Sequence, residues 1–185
     1  MSNLTDFFPS GGGGGLTPKF QEFNASGTFT PTQALIDAGG YIEVFLVAGG
    51  GRPGGASYGG SGGEALIKKM YLTSVNAISI VIGGGGATAS SSGGNSSFSG
   101  LAAGGIDVLA LGGAGFTYTQ QSITSPSWMQ ETNGTAGNGL FGYGAGGMAY
   151  DYGSQGIYIP KQNSGQGGKY NVNGASGYCL INWYE

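Results

Sequence analysis

Tyr41-Ile42-Glu43-Val44-Phe45-Leu46-Val47-Ala48-Gly49-Gly50-Gly51 joins an apolar run directly to a run of glycine. Eight residues that are nearly all apolar, β-branched or aromatic run without a break into a glycine tract. The event recurs where Ala77-Ile78-Ser79-Ile80-Val81-Ile82 meets Gly83 to Gly86, and where Ile106-Asp107-Val108-Leu109-Ala110-Leu111 meets Gly112-Gly113. Such runs read as core strands buried on both faces. The glycines read as strand ends, because they remove every side chain that could pack. The chain is therefore expected to be all-β, a core from which glycine-rich segments repeatedly leave and return.

Composition narrows the class. With 185 residues the chain is long enough to bury one core even though 43 of them are glycine. Charged residues are only 8%, which argues for a surface of backbone, hydroxyls and amides rather than a disordered polar chain. Proline numbers only 6, which excludes a Gly-X-Y triple helix. Six basic residues and a net charge of -3 leave no electrostatic footprint for nucleic acid or an anionic membrane. Histidine is absent and Cys179 is the single cysteine, so no internal disulfide and no Cys/His metal site can form. Cys179, between Tyr178 and Leu180, reads as a small buried hydrophobe. No apolar run reaches the ~18 residues of a spanning helix, and the first residues lack the basic and apolar regions of a signal peptide.

The opening Met1-Ser2-Asn3-Leu4-Thr5-Asp6-Phe7-Phe8-Pro9-Ser10 precedes five glycines, Gly11 to Gly15. Leu4, Phe7, Phe8 and Pro9 form a small apolar cluster on a tether whose r.m.s. span is roughly 12 Å. Two readings stand: a docking peptide, or a terminus whose phenylalanines fold back on the domain. On this division residues 1–15 are the peptide and linker, and residues 16–185 are a single domain. Lys19 to Asn24 and Gly27 to Pro31 are short β-like pieces with aromatics on one face, the second stopped by Pro31. Thr32 to Ala38 has helical potential but is too short to stand alone. Glu64 to Leu72 is a strand whose Lys68-Lys69 pair reads as a solvated edge that discourages edge-to-edge pairing, in preference to a phosphate clamp.

From Gly112 onward glycine recurs three apart, at Gly112 and Gly115, Gly134 and Gly137, Gly139 and Gly142, Gly144 and Gly147, Gly153 and Gly156, Gly165 and Gly168, Gly174 and Gly177. A period of three belongs to neither helix nor strand; it is the repeat of polyproline II. With glycine along one edge, such segments can approach closely enough for N–H to C=O bonds between them, which gives a polyglycine II bundle. Ordinary loops are the other reading, but some seventy residues of loop fit poorly in a compact domain. Tyr118, Trp128, Phe141, Tyr143, Tyr150, Tyr152 and Tyr158 sit between the glycine pairs, where rings either cover the flank of the bundle or face out as stacking platforms.

These residues carry a resemblance. Gly27-Thr28-Phe29-Thr30-Pro31, the strand ending in Val47-Ala48-Gly49-Gly50-Gly51, then Gly83 to Gly86, Gly93-Gly94-Asn95-Ser96-Ser97-Phe98 and a closing Gly177-Tyr178-Cys179-Leu180-Ile181-Asn182-Trp183 together resemble the glycine-rich domain of phage tail-fibre and virion tip proteins. The layout is also similar to the glycine-rich module of the anaplastic lymphoma kinase receptors. The resemblance covers about Phe20 to Glu185. It implies a tumour-necrosis-factor-like jelly-roll β-sandwich carrying a polyglycine II bundle, and a homotrimer. The chain departs from the family's pattern where Thr28-Phe29-Thr30 runs directly into Pro31, and where Gly115 to Thr132 is poor in glycine. Phe116 to Thr132 is accordingly a candidate excursion loop.

Catalytic chemistry finds little to work with. Gly49 to Gly51 and Gly83 to Gly86 lack the Lys-Ser/Thr and the helix of a phosphate loop, the nine acidic residues are dispersed, and no serine has a histidine to activate it. No cofactor is implied. Four N-x-Ser/Thr sequons, at Asn3, Asn24, Asn95 and Asn133, read as chance in a chain this rich in Asn, Ser and Thr. The expectation is a non-enzymatic virion protein, a tail-fibre tip or small fibre-like appendage. It would dock to a larger virion protein through Leu4, Phe7, Phe8 and Pro9, and meet a host glycan or outer-surface protein through Tyr118, Trp128, Phe141, Tyr143, Tyr150 and Tyr152. The runner-up is a structural cement or joint protein of the capsid or tail; an ice-binding polyglycine II protein is disfavoured by the bulky rings that interrupt its repeats.

Overall fold

Strand-forming residues fall where the sequence concentrates β-branched and aromatic side chains, and the computed structural model, which describes residues 15–54, 59–101, 106–115, 162–168 and 172–185, arranges them in two sheets. The elements are β1 (Pro18–Phe23), β2 (Gly27–Phe29), α1 (Gln33–Asp37), β3 (Tyr41–Val47), β4 (Ala65–Tyr71), β5 (Ile78–Val81), β6 (Ser96–Ser99), β7 (Ile106–Ala110) and β8 (Tyr178–Tyr184). One sheet has the order β1-β8-β3-β4 and the other β2-β5-β6-β7, and every pairing is antiparallel. The described residues are thus all-β apart from one helical turn. Thr32 caps that turn by accepting from the Leu35 N–H at 3.0 Å. Gly40, at φ +69°, ends it against the backbone of Leu72, where a side chain has no room.

The facing sides of the sheets share one core. Ile42, Val44, Leu46, Cys179 and Ile181 from the first sheet meet Phe29, Ile78, Ile80, Phe98 and Val108 from the second, and Leu35 plugs the same space. Phe29 and Trp183 meet edge to face across the gap, with ring centroids 5.3 Å apart.

Of the three apolar runs only β3 is buried on both faces, where Phe45 and Val47 form a second, outer cluster with Ala65 and Tyr178. In β5 and β7 the expectation fails: Ser79, Val81 and Leu109 point outward and are exposed, because only one side of that sheet meets the core. The aromatics of β1 also do not share a face. Phe23 is buried and Phe20 is 68% exposed, as an odd spacing along a strand requires. β6, a run of serines around Phe98, has no hydrophobic signature of its own and is fixed by its pairing with β5 and β7.

The strands do end at the glycine tracts, β3 at Val47, β5 at Val81 and β7 at Ala110, but the tracts themselves are packed. After β3 the chain continues through the buried Gly49, Gly50 and Gly51, and the six backbone groups of these three residues bond six different segments. Gly49 donates to the Gly94 carbonyl at 3.0 Å and accepts from the Gly113 N–H at 2.8 Å. Gly50 donates to Ala175 at 2.9 Å and accepts from Gly86 at 2.8 Å; Gly51 donates to Ser61 at 2.9 Å and accepts from Gly168 at 2.8 Å. The six neighbours also bond one another in a closed ring: Ser61 to Ala114, Gly93 to Gly113, Gly94 to Gly84, Gly174 to Gly86, Ala175 to Gln166 and Gly60 to Gly168.

The contacts repeat every third residue. Ala48 and Gly51 donate to Glu64 and Ser61, and Gly49 and Arg52 donate to Gly94 and Ser91, so a step of three on the central segment meets a step of three back on its neighbour. Close approach is what glycine supplies here. A Cβ placed on Gly50 would collide with the carbonyl oxygen of Gln166, and one on Gly51 with that of Ala114. Four of the seven segments precede Gly112. The glycine pairs between residues 134 and 156 lie outside the described residues.

Candidate functional site

Register fixes a polarity along the molecule. Val47 pairs with both Ala65 and Tyr178, and Ser96 with Ala110, so β3, β4, β6, β7 and β8 meet the glycine bundle at one common end. Ser96 locks that junction: its buried hydroxyl donates to the Val47 carbonyl at 2.7 Å and accepts from the Gly83 N–H at 2.9 Å, joining the two sheets to the base of the bundle. Pro18 pairs with Tyr184 at the opposite end, where Thr17 and Glu185 exchange two backbone hydrogen bonds of 2.7 and 3.1 Å. Glu185 there accepts from the Thr32 hydroxyl and lies 3.9 Å from Lys19 Nζ, so its carboxyl is held below the usual carboxylate range, chiefly by the hydroxyl.

A cavity of about 540 Å³ opens near this second end, on the outer face of the β1-β8-β3-β4 sheet, with Pro18, Phe20, Tyr41, Glu43, Asn182 and Tyr184 in its lining. Alternation builds it. Phe20 opposes Asn182, Asn182 opposes Glu43 and Glu43 opposes Lys69, so one cross-strand row carries an aromatic ring, an amide, a carboxylate and an ammonium. Pro18 opposite Tyr184, and Tyr41 opposite Tyr71, form the next row outward. Phe20 and Tyr184 are 68% and 53% exposed, respectively, far more than rings of a satisfied core. Tyr41 is held edge-on by Tyr71 at a centroid distance of 5.4 Å. Glu43 Oε2 lies 3.6 Å from Lys69 Nζ.

The residues singled out from sequence are not among those brought together here. Leu4, Phe7, Phe8 and Pro9, and likewise Tyr118, Trp128, Phe141, Tyr143, Tyr150 and Tyr152, lie outside the described residues, as does the segment from Phe116 to Thr132. The cavity residues were legible only as alternating positions in three separate strands, and nothing in the sequence states that β8 inserts between β1 and β3.

Other chemistry-bearing groups have structural duties. The N–H groups of Gly49, Gly50 and Gly51 are all consumed inside the bundle, which leaves none to cradle a phosphate. Lys68 and Lys69 are exposed on β4, an edge strand. Arg52 Nη1 donates to the Ala87 carbonyl at 2.6 Å and to Asn173 Oδ1 at 2.8 Å, tying two bundle segments together. Cys179 is buried and its thiol is pushed up to about 12 by desolvation, which makes it inert. Among the described residues no group of three or more His, Cys, Asp or Glu is placed to hold a metal ion. No helix among them is long and apolar enough to cross a membrane. No family model, no curated protein and no solved structure matches the chain.

Proposed function

We propose that the protein is a non-enzymatic component of a phage virion, a tail-fibre tip or small fibre-like appendage, anchored through residues 1–15 to a larger virion protein. Its opposite end would meet the host surface, a glycan or an outer-surface protein. The observation that carries this reading is the polarity: the described chain enters at Thr17 and Pro18 at the end of the sheets opposite the glycine bundle. An anchored recognition module needs that separation, because attachment then leaves the far end free.

Within this reading the bundle is a polyglycine II bundle, supported by the three-residue step of its hydrogen bonds and by the ring of six segments around Gly49 to Gly51. A jelly-roll arrangement is supported by the eight strands of the described residues, which form two four-stranded sheets with β8 between β1 and β3. The assembly would be a homotrimer, as the resemblance implies. Turns projecting from the bundle, with Tyr118, Trp128, Phe141, Tyr143, Tyr150 and Tyr152, are the proposed host contacts, because the bundle itself spends its backbone groups internally.

Deleting residues 1–15 tests the anchor. The truncated protein should melt within about 1 °C of the full chain, since among the described residues no strand begins before Pro18, and it should be missing from purified particles. Normal incorporation of the truncated protein would overturn the assignment.

A further inference from the structure

We propose that the cavity on the outer face of the β1-β8-β3-β4 sheet is a binding site for an uncharged saccharide. The inference stands on described residues alone and does not rest on the virion reading. The volume, about 540 Å³, lies within the range of sites that enclose small ligands, roughly 300–1,000 Å³. Its walls are rings. Phe20 and Tyr184 are exposed aromatic faces on neighbouring strands, and the contact with Tyr71 holds Tyr41 in a fixed orientation. Rings of this kind supply apolar contact area with few rotors to freeze, and the C–H face of a pyranose is the complementary partner.

The floor separates a saccharide from an apolar polypeptide side chain. Asn182 and Glu43 sit side by side between the rings, and the Asn182 amide makes no hydrogen bond among the described residues. Covering an amide and a carboxylate with an apolar group would strip both of water without replacement, a cost that vicinal hydroxyls avoid by donating to Glu43 and exchanging hydrogen bonds with Asn182. Charge balance points to a neutral ligand. The two charged residues that line the cavity are each paired, Glu43 with Lys69 at 3.6 Å and Lys19 with Glu185 at 3.9 Å. A sialylated or sulfated glycan would find no free cation, and a cationic ligand would have to displace Lys69.

The test uses the full chain on an array of neutral, sialylated and sulfated oligosaccharides, followed by titration of the strongest neutral oligosaccharide with wild type, Phe20→Ala and Asn182→Ala. The expected result is selective retention of neutral glycans, with both variants binding at least tenfold more weakly. Phe20 is mostly exposed, so its variant should melt like wild type; if Asn182→Ala is unstable, Glu43→Gln serves in its place. Retention of no neutral glycan, retention of acidic glycans only, or unchanged affinity in the variants would overturn the proposal. Loss of particle incorporation by Phe20→Ala with glycan binding intact would likewise overturn it and assign the cavity to a protein partner. Because the chain lacking residues 1–15 should keep its glycan binding, failure of the anchor and failure of this site are separately visible.

Discussion

The sheets and the glycine bundle are held together by opposite means. Between the sheets, cohesion resides in side chains: Phe29, Phe98, Ile42 and Ile181 fill a common space, while the backbone only pairs along each sheet. In the bundle few side chains intervene, and cohesion resides chiefly in backbone groups that bond in several directions around each segment, with the Arg52 side chain adding a tie between two of them. The chain passes from one regime to the other within two residues, between Val47 and Gly49. Glycine has two costs and one benefit here. It forfeits hydrophobic burial and increases the entropy lost on folding. In return it lets seven segments approach until every N–H and C=O of Gly49, Gly50 and Gly51 finds a backbone partner, which satisfies buried polar groups that could not otherwise be covered.

Paired substitutions would break this comparison if it is wrong. Phe98→Ala should cost about 4 kcal/mol, as the loss of a fully buried ring. Gly50→Ala adds one methyl group, yet it should cost about 3 kcal/mol, because the new carbon meets the Gln166 carbonyl and nothing flexible can give way. Denaturant titration of both variants decides the point: a neutral or stabilising Gly50→Ala would mean that the bundle is not held by close backbone approach.

A smaller effect sharpens how the two regions are joined. Ser96→Ala leaves the Gly83 N–H and the Val47 carbonyl without their shared hydroxyl, and should cost about 2 kcal/mol. Amide exchange should then speed up in the bundle before it does in β3, since the lost contacts lie at its base. Equal acceleration everywhere would make the two regions a single cooperative unit with no weak seam.

The smallest effect lies at the far end. Glu185 has a lowered carboxyl pKa in the folded state, chiefly from the Thr32 hydroxyl, so its contribution is present above the unfolded value and lost as pH falls through the folded one. Melting curves of Glu185→Gln and wild type should differ slightly at neutral pH and converge in acid. A gap that persists in acid would show that the side chain acts through packing instead.

Much of the strand inventory was legible. The runs at Tyr41, Ala77, Ile106 and Gly177 all contain strands, because β-branched and aromatic residues concentrate where a pleated surface is to be covered. The short helix was legible from its bounds, with Thr32 as its cap. What misled was the continuity of the apolar runs. In β5 and β7 continuity does not mean burial on both faces, since Val81 and Leu109 lie on an outer face that a run of apolar residues does not reveal. Likewise β6 carries too little hydrophobicity to announce itself, and exists because β5 and β7 flank it.

Side-chain chemistry alone indicated the strands, ruled out an internal disulfide and a Cys/His metal site through the lack of histidine and the single cysteine, and signalled close backbone packing through the abundance of glycine. Only the tertiary structure decided which glycines matter. A glycine tract carries no side chain to specify its neighbour, so its partners are set by where the strands on either side deliver it. Gly49 to Gly51 became the centre because β3 is flanked by β4 and β8, and their connections were brought around it. The same holds for the cavity, where Phe20, Glu43 and Asn182 are far apart in the chain and became one surface when β8 closed between β1 and β3.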